Sequence, residues 1–258
     1  ALAKVLFLTT LSFVVAMAWT PLLTRLLYRF HLGKQIRDES SAPIFSRLHR
    51  KKSGTPTMGG LLIWVTTAVL AAVFWAASKW FDGWWGGLNF LSRPQTLLPL
   101  GALVASALVG MVDDAVDAWR LGRRGGGLRM RQRFLIYTLI AAVGAWWFTA
   151  KLDWTTLHVP FVGSFDIGAW YVPVFIAVIV ATAFSVNEID GLDGLAGGTL
   201  LGSFAAYAVI AFALGKADLA AFCGVIVGAL LAFLWYNIHP ARFFMGDTGA
   251  MSLGVTLG

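Results

Sequence analysis

The chain has 258 residues and a formal net charge of +7, with 13% charged against 58% hydrophobic residues; a soluble domain carries about 25% charged residues. Such a supply cannot cover a water-facing surface, which excludes an ordinary soluble globular protein. The single cysteine, Cys223, lies in an apolar run and reads as packing, so a disulfide framework and a cysteine metal site are excluded as well.

Apolar runs long enough to span, or nearly span, a bilayer occupy 5–27, 60–79, 96–112, 134–150, 171–186, 195–214 and 219–237, and a further run begins near Met251 and reaches Gly258. A spanning helix needs about 20 residues, so the shorter runs draw on their flanks. Ala16-Met17-Ala18 is similar to a signal cleavage site, but cleavage there leaves the basic 29–52 loop outside and the apolar run continues to Leu27. The first run is therefore read as a span. The run still open at Gly258 and the missing initiator Met give the expectation of one transmembrane domain over 1–258, truncated at its C-terminus.

Between the first two runs, Thr55 followed by Pro56 predicts a helix start, with Thr55 as N-cap and Pro56 at N1. Lys51 and Lys52 precede it, and free N–H groups at such a start favour anions. Gly125-Gly126-Gly127 followed by Arg129, Arg131 and Arg133 forms a second basic element suited to phosphate. The segment from Asp153 to Phe165 is β-rich and punctuated by turn residues, which predicts a short hairpin capping the helix ends.

Orientation follows from the basic residues. With the first helix starting outside, all of the 20 lysines and arginines except Lys4, Lys79, Arg93, Lys151 and Lys216 fall on the inner side. Trp80, Trp84, Trp85, Trp154 and Trp170 lie in or beside outer loops, as interfacial anchors do. The basic loops carry no nucleic-acid motif and match a surface of anionic lipid, so no nucleic-acid partner is expected.

The acids are the informative residues. Asp113, Asp114, Asp117, Glu188, Asp190, Asp193 and Asp247 are more than half of the 13 acids, and all fall at inner helix ends. Acids beside a membrane are expensive and tend to mark function. Asp113 and Asp117 share a helical face at i,i+4, where like charges require a cation or a basic partner; Arg120 and Arg123 are the simpler alternative. In Asn187-Glu188-Ile189-Asp190-Gly191-Leu192-Asp193-Gly194, glycines between the acids allow close approach of a ligand, while Asp193 can instead cap the next helix. Asp247 can likewise be a cap, and His239 a plain helix-end histidine. The two phenylalanines at 243 and 244 both suit packing, with stacking of one of them on a nucleobase as the alternative.

Mg²⁺ is the cation expected, because it takes oxygen ligands and is held by one or two carboxylates together with substrate phosphates. Zinc lacks its usual ligands here. Carboxylates, phosphate-binding basic groups and a membrane location point together to phosphoryl transfer involving a lipid, in which protein groups mainly position and neutralise charge.

At KKSGTPTMGG (51–60), MVDDAVD (111–117), NEIDGLDGLAGG (187–198) and HPARFFMGDTGAMSLG (239–254) the chain resembles the phospho-N-acetylmuramoyl-pentapeptide transferases of bacterial peptidoglycan synthesis. These belong to the polyprenyl-phosphate N-acetylhexosamine-1-phosphate transferase superfamily. The resemblance covers essentially the whole chain, with the motifs in the same order. It implies an all-α, polytopic transmembrane helical bundle with about eight spans here and about ten in the full family, plus a short outer-side β-hairpin. It also implies a multi-pass protein of the bacterial inner membrane with its active site on the cytoplasmic face. The implied partners are UDP-N-acetylmuramoyl-pentapeptide, undecaprenyl phosphate and membrane lipid, with a homodimer as the assembly to test. The products are lipid I and UMP, and Mg²⁺ is the cofactor.

By the same resemblance, Asp247 is the main Mg²⁺ ligand, and Asp113 and Asp114 handle the lipid phosphate with Asp113 as base. Asn187, Asp190 and Asp193 line the nucleotide site, Phe244 stacks on uracil, and Lys52 and Thr57 meet substrate. Asp117 stands where the family usually has lysine, and Glu188-Ile189 replaces the commoner Leu-Thr; a histidine loop found further along in the family lies beyond Gly258. An aspartate at 117 is commoner in the branch that loads N-acetylglucosamine-1-phosphate from its UDP donor, which is the alternative function. A transporter using intramembrane acids is the alternative of another class, and predicts charges near mid-bilayer.

Overall fold

The computed structural model describes residues 1–30, 54–91, 94–119, 127–159 and 161–258. Its helices are α1 (Leu2–Arg29), α2 (Leu61–Trp80), α3 (Pro94–Ala118), α4 (Met130–Leu152), α5 (Tyr171–Ile189), α6 (Leu195–Ala213), α7 (Ala217–Asn237) and α8 (Gly246–Leu257). The described residues contain seven helices long and apolar enough to cross a membrane, α1 to α7. The chain is a multi-pass helical membrane protein, as the apolar runs predict.

The central element is α7, the most deeply buried of the spans. It packs against α1, α6 and α2. On α1 the buried residues Leu8, Ser12, Ala16, Thr20, Leu23 and Leu27 recur at helical spacing and form one face. The hydrophobic effect does not draw helices together inside lipid, so close packing and interhelical hydrogen bonds must. Gly224 and Gly228 supply the closeness: a Cβ at Gly228 would stand 2.1 Å from the Thr9 carbonyl oxygen. The Ser12 hydroxyl supplies the bond, donating to the Val225 carbonyl at 2.6 Å.

The second half of the bundle is built on α8, which packs against α3, α5 and α2. Thr248 ties it to α3 through a 3.0 Å hydrogen bond to the Ala107 carbonyl, and the Trp64 indole of α2 donates to the Thr248 hydroxyl at 3.2 Å. At the far end of the bundle Lys4 pairs with Asp218 at 2.8 Å and donates to the Asn89 carbonyl at 2.6 Å. That pair fixes the start of α1 against the start of α7.

Two expectations need correcting. The predicted helix start at Thr55-Pro56 is not used, and α2 begins at Leu61. The intervening backbone runs beside residues 244 and 245 instead: the Phe244 amide donates to the Pro56 carbonyl at 2.8 Å, and the Gly59 and Gly60 amides donate to the Phe244 and Met245 carbonyls at 2.7 and 2.8 Å. Tertiary pairing with residues 244 and 245 thus takes the place of the expected first helical turn. The hairpin does form, from β1 (Thr156–Val159) and β2 (Gly163–Asp166), antiparallel with Leu157 opposite Phe165. Most of its residues are exposed, and its strands pack on each other rather than closely on any helix, so it covers little of the helix ends it was expected to cap.

Candidate active site

The acids singled out in the sequence converge at one end of the bundle, where α3, α5 and α7 finish and α4, α6 and α8 begin. Asp113 and Asp114, near the end of α3, are 0% and 4% exposed. Adjacent buried carboxylates need compensation, and each finds it differently.

Asp114 closes the N-terminus of α8 from outside that helix. Its Oδ1 accepts the Asp247 amide at 3.0 Å, and its Oδ2 accepts the Thr248 amide at 2.9 Å. The Thr57 hydroxyl donates to Oδ1 at 3.2 Å. Asp190, at the end of α5, accepts the Gly246 amide at 3.1 Å. Consecutive amides with no partner inside their own helix are therefore held by acids of two other helices, at the positive end of the α8 dipole. Gly246 is required at this junction, because it adopts φ +73° and a Cβ there would lie 2.5 Å from Thr57 Oγ1 and 2.6 Å from Asp114 Oδ2.

With the amides of α8 so held, the Asp247 side chain does not cap its own helix. Its Oδ2 meets Arg133 Nη2 at 2.7 Å, and its Oδ1 accepts a hydrogen bond from the Asn187 side-chain Nδ2 at 2.5 Å. Arg133 Nη1 donates to Asn187 Oδ1 at 2.9 Å, which closes a ring of side chains. The same Nη2 lies 2.8 Å from Asp113 Oδ2. That contact is electrostatic, since Asp113 Oδ2 and Arg133 Nε are buried without a hydrogen bond among the described residues. Asp113 Oδ1 accepts the Leu128 amide, and Asp117 Oδ1 accepts the Gly127 amide at 3.1 Å. The end of α3 thereby fixes the backbone just before α4, which delivers Arg133.

Asp193 stands beside this ring rather than in it. It does not cap α6, whose N-cap is Gly194. Its carboxylate faces His239 Nδ1 at 2.9 Å and the Ala241 amide at 3.5 Å, holding the loop after α7. Asn237 joins the same two segments, accepting the Gly194 amide at 2.9 Å and donating to the Phe243 carbonyl at 2.9 Å. Phe243 is buried against Phe233 and Tyr236, whereas Phe244 is half-buried. Lys52 lies outside the described residues.

Arg133 is the residue whose importance the sequence did not single out from its neighbours Arg129 and Arg131. A signal was present. The buried positions of α4 are Tyr137, Ala141 and Ala145, and one step back along that i,i+4 row is residue 133.

The donor set suits Mg²⁺. Asp113 and Asp247 share a single guanidinium, which leaves that pair formally negative, and an Asp113 oxygen is buried without a hydrogen bond among the described residues. No group of three or more His, Cys, Asp or Glu side chains that could hold a metal forms among the described residues. An ion here would rest on Asp247 and Asp113 and complete its shell with substrate oxygens and water, the usual habit of Mg²⁺.

Residues 96–258 match the "Glycosyl transferase family 4" family, and residues 52–63 match "Phospho-N-acetylmuramoyl-pentapeptide-transferase signature 1". A protein of Chloroflexus aggregans named phospho-N-acetylmuramoyl-pentapeptide-transferase is 36% identical over 99% of this chain, which spans 66% of that protein. Proteins of the same name are similar in Clostridium kluyveri, 34% identical over 99% of this chain and 74% of theirs, and in Geobacillus kaustophilus, 38% identical over 94% and 70%. Both the signature segment and the acid ring fall inside the match to the Chloroflexus protein, and the chain belongs to glycosyl transferase family 4, where it is similar to proteins named phospho-N-acetylmuramoyl-pentapeptide-transferase.

Proposed function

We propose that this protein transfers phospho-N-acetylmuramoyl-pentapeptide from its UDP-linked donor to undecaprenyl phosphate, giving lipid I and UMP for peptidoglycan synthesis. The observation that carries the reading is the ring of Asp113, Arg133, Asn187 and Asp247 at one end of a membrane bundle, in a chain whose relatives bear that enzyme's name. The charge pattern supports a cytoplasmic site in the bacterial inner membrane. The absence of acids from the middle of α5, α6 and α7 argues against an ion pathway.

In this reaction the acceptor phosphate becomes bonded to the sugar-linked phosphorus of the donor, and the bond to UMP breaks. Asp113 faces the acceptor and holds its phosphate proton. Asp114 contributes through the backbone of α8, which it fixes. Asn187, Asp190, Asp193 and Phe244 define the side on which the nucleotide sits, and Thr57 and Lys52 border the phosphates. Mg²⁺, held by Asp247 with Asp113, supplies neutralisation of the diphosphate charge.

The test is UMP release by the protein in detergent with undecaprenyl phosphate, Mg²⁺ and each UDP-sugar in turn. Release with the muramoyl-pentapeptide donor supports the reading. Release only with UDP-N-acetylglucosamine supports the sister activity, which Asp117 favours because that branch more often carries an aspartate there. No release with either, from folded protein, overturns both.

A further inference from the structure

Both oxygens of Asp247 are engaged, one by a charged group and one by a neutral group. Asn187 donates to Oδ1 at 2.5 Å, and Arg133 holds Oδ2 at 2.7 Å while reaching Asp113 Oδ2 at 2.8 Å. A neutral amide can share a carboxylate with a cation, since each carboxylate oxygen offers more than one lone pair. A guanidinium wedged between the two carboxylates cannot, because it carries the same sign of charge as the ion into a half-buried site where such repulsion is poorly screened.

We infer that Arg133 is a built-in competitor of the divalent cation: it bridges Asp113 and Asp247 when the ion is absent and gives up that bridge when the ion binds. The inference rests on the metal-dependent reading above. The bridge holds together two acids that would otherwise repel each other, so the site keeps its shape between turnovers. Arg133 is suited to this because the fork of its guanidinium reaches three groups at once, which a lysine cannot do in the same geometry. Its side chain is 22% exposed, so water gives the released guanidinium somewhere to go.

The test measures cation binding directly, with Mn²⁺ followed by its electron paramagnetic resonance signal. Arg133→Met is expected to bind Mn²⁺ about tenfold more tightly than the wild type, and to melt at a lower temperature than the wild type when no divalent ion is present. Unchanged or weaker Mn²⁺ binding by the variant, with the wild type binding normally, overturns the inference. If the folded wild type binds no Mn²⁺ at all, the metal-dependent reading itself falls. A variant that does not fold leaves a measurement on the intact wild type: phenylglyoxal labelling of Arg133, read by mass spectrometry of its peptide. Labelling is expected to rise several-fold when Mn²⁺ saturates the site, and labelling indifferent to bound Mn²⁺ overturns the inference.

Discussion

Asp114 and Thr248 are joined across 134 residues of chain by a hydrogen bond from the Thr248 amide to Asp114 Oδ2 at 2.9 Å. The bond is one of a set, because Oδ1 of the same carboxylate takes the Asp247 amide and the Thr57 hydroxyl. Asp114 does for α8 what an N-cap does, from the end of another helix. It therefore sets the distance between the paired aspartates of α3 and the lone aspartate of α8.

Asp114→Asn tests that role. Asparagine keeps the shape but turns an NH₂ toward one of the amides that the carboxylate accepts. Hydrogen bonds to a charged partner are worth about 1.5–3 kcal/mol each when buried. The expected outcome is a melting temperature lower by several degrees, with UMP release reduced about a hundredfold. Thermal unfolding in detergent beside the release assay checks both, and an unchanged melt would remove the capping role.

Gly246→Ala acts on the same junction without touching a charge. A left-handed conformation costs a residue with a Cβ about 1–2 kcal/mol, and here the added carbon also meets Thr57 Oγ1 at 2.5 Å and Asp114 Oδ2 at 2.6 Å. The segment must move away from Asp114, carrying Asp247 with it. UMP release is expected to fall about a hundredfold, while the circular dichroism of the bundle stays helical. Activity within a factor of two of wild type would mean that the junction yields without displacing Asp247.

The bundle and the acid cluster were legible in the sequence for different reasons. The spans were legible because a long uninterrupted apolar run is costly to keep in water and at home in a bilayer, and α5, α6 and α7 fall close to the expected 171–186, 195–214 and 219–237. Asp113, Asp190 and Asp247 were legible because acids at apolar helix ends are anomalous. The start of α2 was not, since local propensity favoured Thr55-Pro56 and only the strand-like pairing with residues 244 and 245 shows why the helix waits until Leu61. The hairpin's turn chemistry was readable, but where it would stand relative to the bundle was not, since that depends on packing rather than on turn residues. Arg133 was hidden among neighbouring arginines, because charge alone does not say which of them turns inward.

Gly228→Leu probes the scaffold rather than the site. A Cβ at this position would stand 2.1 Å from the Thr9 carbonyl oxygen and 3.0 Å from the Phe13 amide nitrogen, so α1 must move off α7. Overpacking of this kind costs about 1–3 kcal/mol or more. The yield of folded protein and its melting temperature are expected to drop, with UMP release per folded molecule preserved. Loss of release without loss of stability would mean that α1 and α7 contribute to the site directly.

Asp247→Asn separates the electrostatic role of the site from its architecture. The substituted side chain retains an oxygen for the Asn187 amide or for Arg133, and the capping of α8 by Asp114 and Asp190 uses backbone amides that the change leaves in place. Removing one negative charge also brings Asp113, Asp114 and Arg133 nearer to balance, so the melting temperature without divalent ions is expected to hold or rise slightly. What disappears is the reason for a cation to bind. A ligand that binds the folded state raises its melting temperature with concentration, so Mg²⁺ is expected to stabilise the wild type and to leave Asp247→Asn unmoved. UMP release is expected to fall by about a hundredfold to a thousandfold, as when a preorganised electrostatic contact is removed. A variant that still melts higher with each addition of Mg²⁺ would place the ion on Asp113 and Asp117 instead, and would make Asp247 a partner of Arg133 alone.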